Sequence, residues 1–358
     1  MRIAFLTSTP LNVDRGSGTY VGISTLAREL RNQGHAVEIF APALPAPVYT
    51  LQRVWYNEWL RWRNLRGFDL VVGFDMDGYC VDVPHVAAIK GVIADEAAFE
   101  RGVTRRLMLL QAHYERLNVR RARAIIATSR HSADRIAELY APPRAPRVVP
   151  ELIDLRAWRE LFNTAPEWPA SENRFTVLAV ARLYRRKRID VLLRAAAALA
   201  REAPGLEVRI VGDGPEAARL RAMSPPAVVW LGTLPQQQLA EEYRNCDVFC
   251  LPSVQEGFGI VLLEAMAAGK PIVAARAAAA PEVAPHGVLV EPDDADALAE
   301  GIHRICTQPV LAAEIAHKGK DLVLQYDAPR VARQFLAAAT QLESPHEPPR
   351  PPASAGSR

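Results

Sequence analysis

Apolar positions in the first part of the chain fall into short runs that alternate with stretches of helical spacing. The run from Arg2 to Thr7 predicts a buried strand, and apolar residues spaced by three and four positions predict a helix from Thr19 to Gln33. A second strand from Ala36 to Phe40 follows, so the chain opens with a βαβ unit and a parallel sheet. The same pattern predicts further strands of that sheet over Asp69–Gly73, Val86–Ile89 and Ala124–Thr128.

Prolines crowd between Pro142 and Pro169 and separate this array from a second one. Because proline lacks an amide donor and interrupts regular structure, this stretch predicts the linker between two domains. Beyond it, apolar runs and helical spacings alternate again. The second array is predicted to contain strands at Phe175–Ala181, Leu206–Val211, Val228–Leu231, Val248–Leu251 and Pro271–Ala274, and helices at Ile189–Arg201, Gln236–Arg244 and Gly259–Ala268.

The pattern predicts an α/β fold with two consecutive doubly wound parallel-sheet domains, over residues 1–150 and 151–327. A length of 358 residues suffices for two domains of roughly 150 residues each. Residues 344–358 are rich in Pro and Ser and lack periodicity, which predicts a disordered tail.

Composition narrows the classes of function. A net charge of +3 is too small to favour nucleic acid as a partner. No stretch approaches the ~20 apolar residues of a membrane span, and the N-terminus predicts a strand rather than a leader. The four cysteines form no CxxC pair, so we expect neither a zinc site nor a disulfide framework. These features together predict a cytoplasmic protein.

The segment from Glu256 to Glu264 follows a predicted strand, and its glycines, Gly257 and Gly259, open the next helix. Free backbone N–H groups at the positive end of a helix bind phosphate. Glu264 lies more than a turn into that helix and can accept hydrogen bonds from paired hydroxyls, such as those of ribose. The alternative is an ordinary strand, loop and helix with surface acids.

Two other strand ends of the same predicted sheet carry loops suited to a nucleotide. Arg182 is the first charged residue after an apolar run, and Lys187 lies where a loop turns into a helix. An arginine fork and a lysine point charge suit a diphosphate, although a basic solvated loop is the alternative. The loop Val211-Gly-Asp-Gly-Pro215 permits a tight turn and close approach of a ligand. Ligands bind such sheets at this edge.

These segments resemble the donor domain of the family 4 retaining glycosyltransferases. Glu256 and Glu264 form the Glu-x7-Glu pair that is the most specific mark of that family. The likeness covers residues 1 to about 343 and is carried by Ala181–Ala195 (ARLYRRKRIDVLLRA), Val211–Pro215 (VGDGP), Glu256–Ala274 (EGFGIVLLEAMAAGKPIVA), Gly16-Ser-Gly18 and Pro281-Glu282-Val283.

The resemblance implies a GT-B fold, in which two Rossmann-like domains face a cleft. It implies transfer of a sugar with retention of configuration, from a UDP- or GDP-sugar to a glycan, lipid-linked or small-molecule acceptor. The acceptor domain would be 1–150 and the donor domain 151–327, with a helix over 328–343 crossing back onto the first domain. The nucleotide-sugar is then a co-substrate, and neither a metal nor another cofactor is expected.

The resemblance also implies roles for single residues. Glu256 would face the transferred sugar and Glu264 would hold the ribose, whereas Arg182 and Lys187 would hold the diphosphate. The predicted catalytic residues are Glu256 and Lys90. The predicted donor-binding residues are Gly16, Gly18, Arg182, Lys187, Gly212, Gly257, Phe258, Gly259, Ile260 and Glu264.

Two positions depart from the family's pattern. Relatives usually have a histidine where the strand after Pro84 ends, and this chain has Lys90 there. A lysine can hydrogen-bond the sugar or the acceptor and favour the leaving diphosphate. A salt bridge between Lys90 and Asp95 or Glu96 is the equal alternative. Relatives also often have two glycines before Pro281, where this chain has four alanines.

The sequence Asp75-Met-Asp77 spells the DxD motif with which the other large glycosyltransferase fold binds a metal and a nucleotide. Here it lies in the first domain, whereas the phosphate-binding loops lie in the second. We therefore interpret the two acids as groups that face the cleft and contact the acceptor, with a turn of no function as the alternative.

Two stretches bear on membrane contact. Between Arg101 and Arg123 seven arginines accompany one acid, Glu115, which suits phosphates or an anionic surface, although we favour a solvated helix face. The other stretch is a predicted helix whose tryptophans share one face: Trp55, Trp59 and Trp62. Such a helix lies on a membrane surface or packs against the first sheet, and we favour packing. A peripheral contact with the inner face of the membrane stays open.

Two rival functions belong to different classes. A sugar-nucleotide epimerase of the same shape would lack the Glu-x7-Glu pair and the spacing of Arg182 and Lys187. A non-catalytic nucleotide-sugar binding protein would not hydrolyse a donor in the absence of acceptor. A dehydrogenase is disfavoured, because the loop from Thr7 to Gly18 does not contain GxGxxG.

Overall fold

The computed structural model describes residues 1–9, 18–42, 49–169, 174–201 and 205–341, and it contains two six-stranded sheets. The elements of the first sheet and its helices are β1 (Arg2–Leu6), α1 (Gly18–Asn32), β2 (Ala36–Phe40), α2 (Tyr49–Leu60), β3 (Leu70–Phe74), β4 (Val86–Ile89), α3 (Ile93–Ala97), α4 (Gly102–Arg121), β5 (Ala124–Ala127), α5 (Arg130–Tyr140) and β6 (Arg147–Val148).

The second sheet and its helices follow in the same alternation. Their elements are α6 (Leu155–Thr164), β7 (Phe175–Val180), α7 (Ile189–Leu199), β8 (Leu206–Val211), α8 (Ala217–Ala222), β9 (Val228–Gly232), α9 (Gln236–Asn245), β10 (Val248–Leu251), α10 (Ile260–Ala267), β11 (Ile272–Ala275), α11 (Ala280–Val283), β12 (Val288–Val290), α12 (Ala295–Thr307), α13 (Pro309–Val323) and α14 (Ala328–Thr340). Short 3₁₀ turns lie at Arg185–Lys187 and Leu324–Tyr326.

Both sheets are parallel and doubly wound. The strand order is β2-β1-β3-β4-β5-β6 in the first sheet and β12-β11-β10-β7-β8-β9 in the second. The order reverses between β1 and β3 in the first sheet, and between β7 and β10 in the second. Ligands bind in the crevice that such a reversal opens at the carboxyl ends of the strands. The predicted α/β fold class, with two Rossmann-like sheets, is confirmed.

The strands are buried on both faces, which explains why they appear in the sequence as short continuous apolar runs. Every residue of β3 and of β4 is buried. The last helix, α14, packs on the first sheet, where the rings of Phe335 and Phe5 lie 6.4 Å apart. The structure ends this helix at Thr340, and the tail predicted at 344–358 lies outside the described residues.

The proline-rich stretch predicted as the linker lies between β5 of the first sheet and β7 of the second, and it contains regular structure. Residues Arg147–Val148 form the edge strand β6, and α6 begins directly after Asp154, whose side chain caps the helix by accepting from the Ala157 N–H at 2.9 Å. Trp158 of α6 is buried beside Tyr243 under the second sheet. The prolines punctuate the turns between these short elements instead of marking one long irregular segment.

The helix α2 packs on the first sheet, as we favoured, but its tryptophan face is exposed. The helix packs inward through Tyr56 and Leu60. Its tryptophan side points to solvent, with Trp55 66%, Trp59 39% and Trp62 85% exposed. Among the described residues, no helix is long and apolar enough to cross a bilayer.

Candidate functional site

The loops that follow β7 and β10 meet at the switch point of the second sheet and bring Lys187 and Glu256 together. The Lys187 Nζ lies 2.5 Å from Oε1 of Glu256, and both side chains are largely buried. Arg182 is exposed at the start of the same loop. Its guanidinium lies 5.9 Å from the ring of Tyr184 and forms no ion pair with another described residue. Of these two cations, Lys187 is therefore ion-paired within the described residues and Arg182 is not.

The helix α10 begins beside these cations. Gly259 precedes it with φ +88°, a left-handed conformation that favours glycine. The first N–H groups of the helix have no partner within it, so its positive end lies at the crevice. The Phe258 side chain is buried against Tyr326, in the core rather than in the crevice. A Cβ added at Gly18 would lie 3.2 Å from Cγ2 of Ile260, so the first domain reaches the start of α10.

Glu264 is buried inside α10 and is held by a residue that the sequence did not indicate. The hydroxyl of Tyr243 donates to its Oε2 at 2.8 Å. Burial raises the pKa of Glu264 to about 7, against the lowering effect of that hydrogen bond. The carboxyl thus changes charge near neutral pH and accepts hydrogen bonds best when ionised.

Gly212 brings a third loop against the first. Its φ is +127°, and a Cβ at this position would lie 1.9 Å from the carbonyl oxygen of Ala181. Only glycine allows the loop after β8 to pack so closely on the chain that leads to Arg182. The predicted contact of Gly212 with the donor stays a prediction.

The first domain contacts the loop after β10 through hydrogen bonds. The carbonyl oxygen of Gly257 accepts hydrogen bonds from the hydroxyls of Thr128 at 3.1 Å, Ser129 at 2.7 Å and Ser132 at 2.9 Å. A Cβ at Gly257 would lie 2.5 Å from the carbonyl oxygen of Lys90, so glycine is needed for this approach. The glycine loop is therefore part of the interface between the two domains.

A second contact joins the domains next to this one. The carboxylate of Glu282 accepts from the backbone N–H of Arg130 at 2.9 and 3.1 Å, and so caps α5 of the first domain. Arg186 also pairs with Glu96 at 3.1 Å. These contacts hold the two sheets in a closed arrangement around the crevice.

Lys90 forms a buried ion pair, but with neither of the partners that the sequence suggested. Its Nζ lies 2.8 Å from Oε2 of Glu151, and each side chain is 7% exposed. Asp95 instead pairs with Arg135 at 2.7 Å, while Glu96 pairs with Arg186. Lys90 therefore forms a salt bridge, as the alternative interpretation expected, but with Glu151. The catalytic role of Lys90 stays a prediction.

The acids of the DxD sequence lie at the switch point of the first sheet, and both are buried. Asp77 is fully enclosed and accepts hydrogen bonds from Ser8 and Asn57, so the interpretation that it faces the cleft is wrong. Burial raises the pKa of Asp75 to about 6 and also raises the pKa of Asp77. In the part of the chain that the structure describes, no three His, Cys, Asp or Glu side chains converge as a metal site.

The structure thus brings most of the predicted donor-binding residues to one crevice. Lys187 and Glu256 contact each other, Gly257 meets the backbone of Lys90, and Gly18 meets Ile260. Gly16 lies outside the described residues.

Comparison with known families agrees with this geometry. Residues 163–322 match the family described as Glycosyl transferases group 1, and residues 16–157 match Glycosyltransferase Family 4. The two matches lie on the two sheets and together span most of the chain. The chain belongs to the family 4 glycosyltransferases. The resemblance predicted from the sequence is confirmed.

Individual relatives share this family and fold. A D-inositol 3-phosphate glycosyltransferase of Saccharomonospora viridis is 34% identical over 243 residues, which are 61% of this chain and 55% of that protein. In three of the curated relatives the matched stretch spans about a fifth to three fifths of the relative's length.

Two solved structures illustrate the shared GT-B architecture. Sucrose-phosphate synthase from Thermosynechococcus elongatus superposes with a TM-score of 0.77 at 20% identity, covering 94% of this chain and 97% of that one. HepE from Anabaena in complex with UDP-glucose gives a TM-score of 0.68 at 20% identity, with coverage of 94% and 98%. At this identity the likeness shows the fold alone.

The site residues of this chain that sequence reasoning missed are those placed by tertiary packing. Glu151 and Tyr243 have no local motif, and each meets its partner only because the sheet brings their elements together. Ser129 has a residue type that helix N-caps favour, and its side chain accepts from the Ser132 N–H. Its hydrogen bond to Gly257 carries no such signal in the sequence.

Proposed function

We propose that this glycosyltransferase transfers a sugar from a UDP- or GDP-sugar to an acceptor hydroxyl with retention of anomeric configuration. The observation that carries the proposal is the convergence of Arg182, Lys187 and the start of α10 at the switch point of the second sheet. Two cations and free N–H groups match the charge of a diphosphate. The buried Glu264 suits the ribose hydroxyls. The UDP-glucose named in the HepE complex supports a uridine donor.

The ion pair between Lys187 and Glu256 suggests how donor binding prepares the site. The diphosphate competes for the Lys187 ammonium, which frees the Glu256 carboxylate to face the sugar. Glu256 then orients a sugar hydroxyl or stabilises positive charge at the anomeric carbon, an interaction that is strongest in the transition state. Arg182 stays on the diphosphate throughout.

The transfer itself requires no side-chain nucleophile in this proposal. The bond from the anomeric carbon to the diphosphate breaks, and a bond to the acceptor oxygen forms on the same face. The leaving phosphate oxygen takes the proton of the acceptor hydroxyl. Arg182, Lys187 and the helix dipole supply the positive charge that a metal provides elsewhere. The closed contacts at Gly257 exclude water from the crevice.

We further propose that the acceptor enters against the first domain, as a glycan, a lipid-linked glycan or a small molecule. The printed name of the Saccharomonospora relative, a D-inositol 3-phosphate glycosyltransferase, supports an acceptor of small-molecule type. The exposed tryptophans of α2 and the exposed arginines of the neighbouring α4 support peripheral contact with an anionic membrane on the cytoplasmic side.

The test is release of nucleoside diphosphate from a panel of UDP- and GDP-sugars in EDTA, with the product anomer followed by NMR. We expect slow donor hydrolysis without acceptor, turnover that survives the chelator, and product with the donor's anomeric configuration. The Glu256→Gln variant should lose turnover while keeping nucleotide affinity. An inverted product, or activity that EDTA abolishes and manganese or magnesium restores, would contradict the proposal.

A further inference from the structure

The switch point of the first sheet is a second crevice, and the proposed donor site does not use its side chains. The strand order reverses between β1 and β3, which opens a crevice at the carboxyl ends of these strands. Ser8 follows β1, and Asp75 and Asp77 follow β3. In doubly wound sheets this is the position at which ligands bind.

A buried guanidinium lies behind these residues. Arg53 reaches in from α2, with Nε donating to Ser8 Oγ at 2.9 Å and Nη1 donating to Gln111 Oε1 at 3.0 Å. Its Nη2 is buried and has no hydrogen-bond partner among the residues that the structure describes. That atom lies 3.9 Å from Oδ2 of Asp75 and 3.8 Å from Oδ2 of Asp77, and the side chain is only 6% exposed. Buried polar atoms are nearly always hydrogen-bonded, so an Nη2 that has ion-pair distance to two carboxylates but a hydrogen bond to neither marks this cluster as a candidate site.

The carboxylates of Asp75 and Asp77, which lie near Arg53, differ in how many hydrogen bonds they accept. Asp77 accepts from the N–H of Ser8 at 2.6 Å, from its hydroxyl at 2.7 and 2.8 Å, and from Asn57 at 2.9 Å. Asp75 accepts only from the Lys90 N–H, at 2.8 Å to Oδ1. Among the described residues its Oδ2 has no hydrogen-bond donor, and the side chain is 11% exposed. The Oδ2 atom of Asp75 can therefore still accept a hydrogen bond.

The backbone at Asp75 is held in an uncommon conformation. Its φ is +53°, in the left-handed region that non-glycine residues seldom adopt. Strain of this kind persists where the surrounding structure fixes it, and it is concentrated at functional sites. Here the Asp75 N–H donates to Ala88 O at 3.0 Å, and Asn118 donates to Asp75 O at 2.7 Å. The backbone of Asp75 is thus anchored on both sides.

Lys90 links this carboxylate to the donor loop. Its N–H binds Asp75, whereas its carbonyl oxygen lies against Gly257 of the second domain. Lys90 therefore lies between Asp75 and the loop that contains Glu256. A group bound to Asp75 lies on the acceptor side of the proposed reaction centre.

From this arrangement we infer that Asp75 is the acceptor-binding carboxylate, and that its Oδ2 accepts a hydrogen bond from a hydroxyl of a neutral polyol. The inference rests on the proposed function. Arg53 stabilises the charge of Asp75, while Asp77 and Glu96 make the surroundings negative. This charge favours hydroxyl donors over phosphate or carboxylate groups at this position.

The test is stimulation of nucleoside diphosphate release by three neutral probes, methyl α-D-mannopyranoside, myo-inositol and octyl β-D-glucopyranoside, beside myo-inositol 1-phosphate. The Asp75→Asn variant keeps an oxygen for the Lys90 N–H but loses the charge. It should raise the KM of the stimulating polyol about tenfold or more, since a charge-assisted hydrogen bond is weakened. The exposed Asp82→Asn serves as the charge-matched control. Nucleotide affinity, hydrolysis without acceptor and melting temperature should stay those of wild type in Asp82→Asn.

A pH profile separates this role from a purely structural one. Burial raises the pKa of Asp75 to about 6, so the carboxylate is protonated below that pH and accepts a hydrogen bond less well. The polyol KM of wild type should rise as pH falls through 6, and that of Asp75→Asn should not follow. An unchanged polyol KM in Asp75→Asn, no stimulation by any neutral probe, or stimulation by the phosphate alone would overturn the inference. Absence of donor turnover in wild type would instead contradict the proposed function.

Discussion

At the scale of single residues, the ion pair of Lys90 and Glu151 makes the stability of the fold depend on both side chains. Each side chain is 7% exposed, so removal of one charge leaves the other buried without compensation. Such a loss costs about 3–5 kcal/mol of the free energy of unfolding, whereas replacement of both charges is close to neutral. Gly22 of α1 leaves room for the pair, because a Cβ there would lie 2.6 Å from Oε2 of Glu151.

We therefore predict that Lys90→Met lowers the free energy of unfolding by about 3 kcal/mol and that Lys90→Met/Glu151→Gln recovers most of it. Urea unfolding measures both changes. If Lys90 also acts in catalysis, as we predict, turnover stays low in the double variant although its stability returns. Recovery of turnover together with stability would make Lys90 a structural residue and remove it from the site.

Residue pairs of this kind mark the limit of sequence-based prediction of the site. Arg182, Lys187, Glu256 and Glu264 were found because each belongs to a short local motif at a strand end. The partner of Lys90 is 61 positions away and that of Glu264 is 21 positions away. Neither separation is periodic, so only the folded packing brings the groups together.

At the scale of elements, strands were predicted more accurately than the segments between them. The strand β4 has the predicted bounds, because a strand covered on both faces is a continuous apolar run. The strand β12 was missed, since its three residues are only half buried and carry a weak signal. The helix α6 was hidden by the prolines around it, which mark the ends of short elements as readily as a linker.

The helix α2 gives a prediction at this scale. Its exposed Trp55 and Trp62 suit the interface of a bilayer, and the arginines of α4 suit anionic lipid. We expect co-sedimentation with phosphatidylglycerol vesicles at low salt and its loss at high salt, because the Debye length falls from ~10 Å at 0.1 M to ~3 Å at 1 M.

A double variant tests which face binds. Trp55→Ala/Trp62→Ala should reduce vesicle binding strongly, whereas Val310→Ala, which trims an 81% exposed apolar side chain elsewhere, should not. Full binding by the double variant, or no binding of wild type at low salt, would show that α2 is not a membrane-contacting helix.

At the scale of the whole molecule, the two sheets place two switch points opposite each other. The second sheet presents Arg182, Lys187 and the start of α10, and the first presents Asp75 beside Lys90. Hydrogen bonds from α5 and its N-terminal turn to Gly257 hold the halves together. The doubly wound class was predictable from alternation of elements, whereas this closure depends on hydroxyls whose role no pattern reveals.

The most direct test of the central claim is calorimetry of UDP and GDP binding in EDTA, with uridine and guanosine as phosphate-free controls. Arg182→Ala and Lys187→Ala should each weaken diphosphate binding about tenfold or more, because each removes a charge-assisted contact. Arg194→Ala, which removes an exposed charge on α7, should leave it unchanged. Nucleoside binding should be equal in all variants. Full diphosphate affinity in both Arg182→Ala and Lys187→Ala would show that the loop is only a basic surface and would contradict the account.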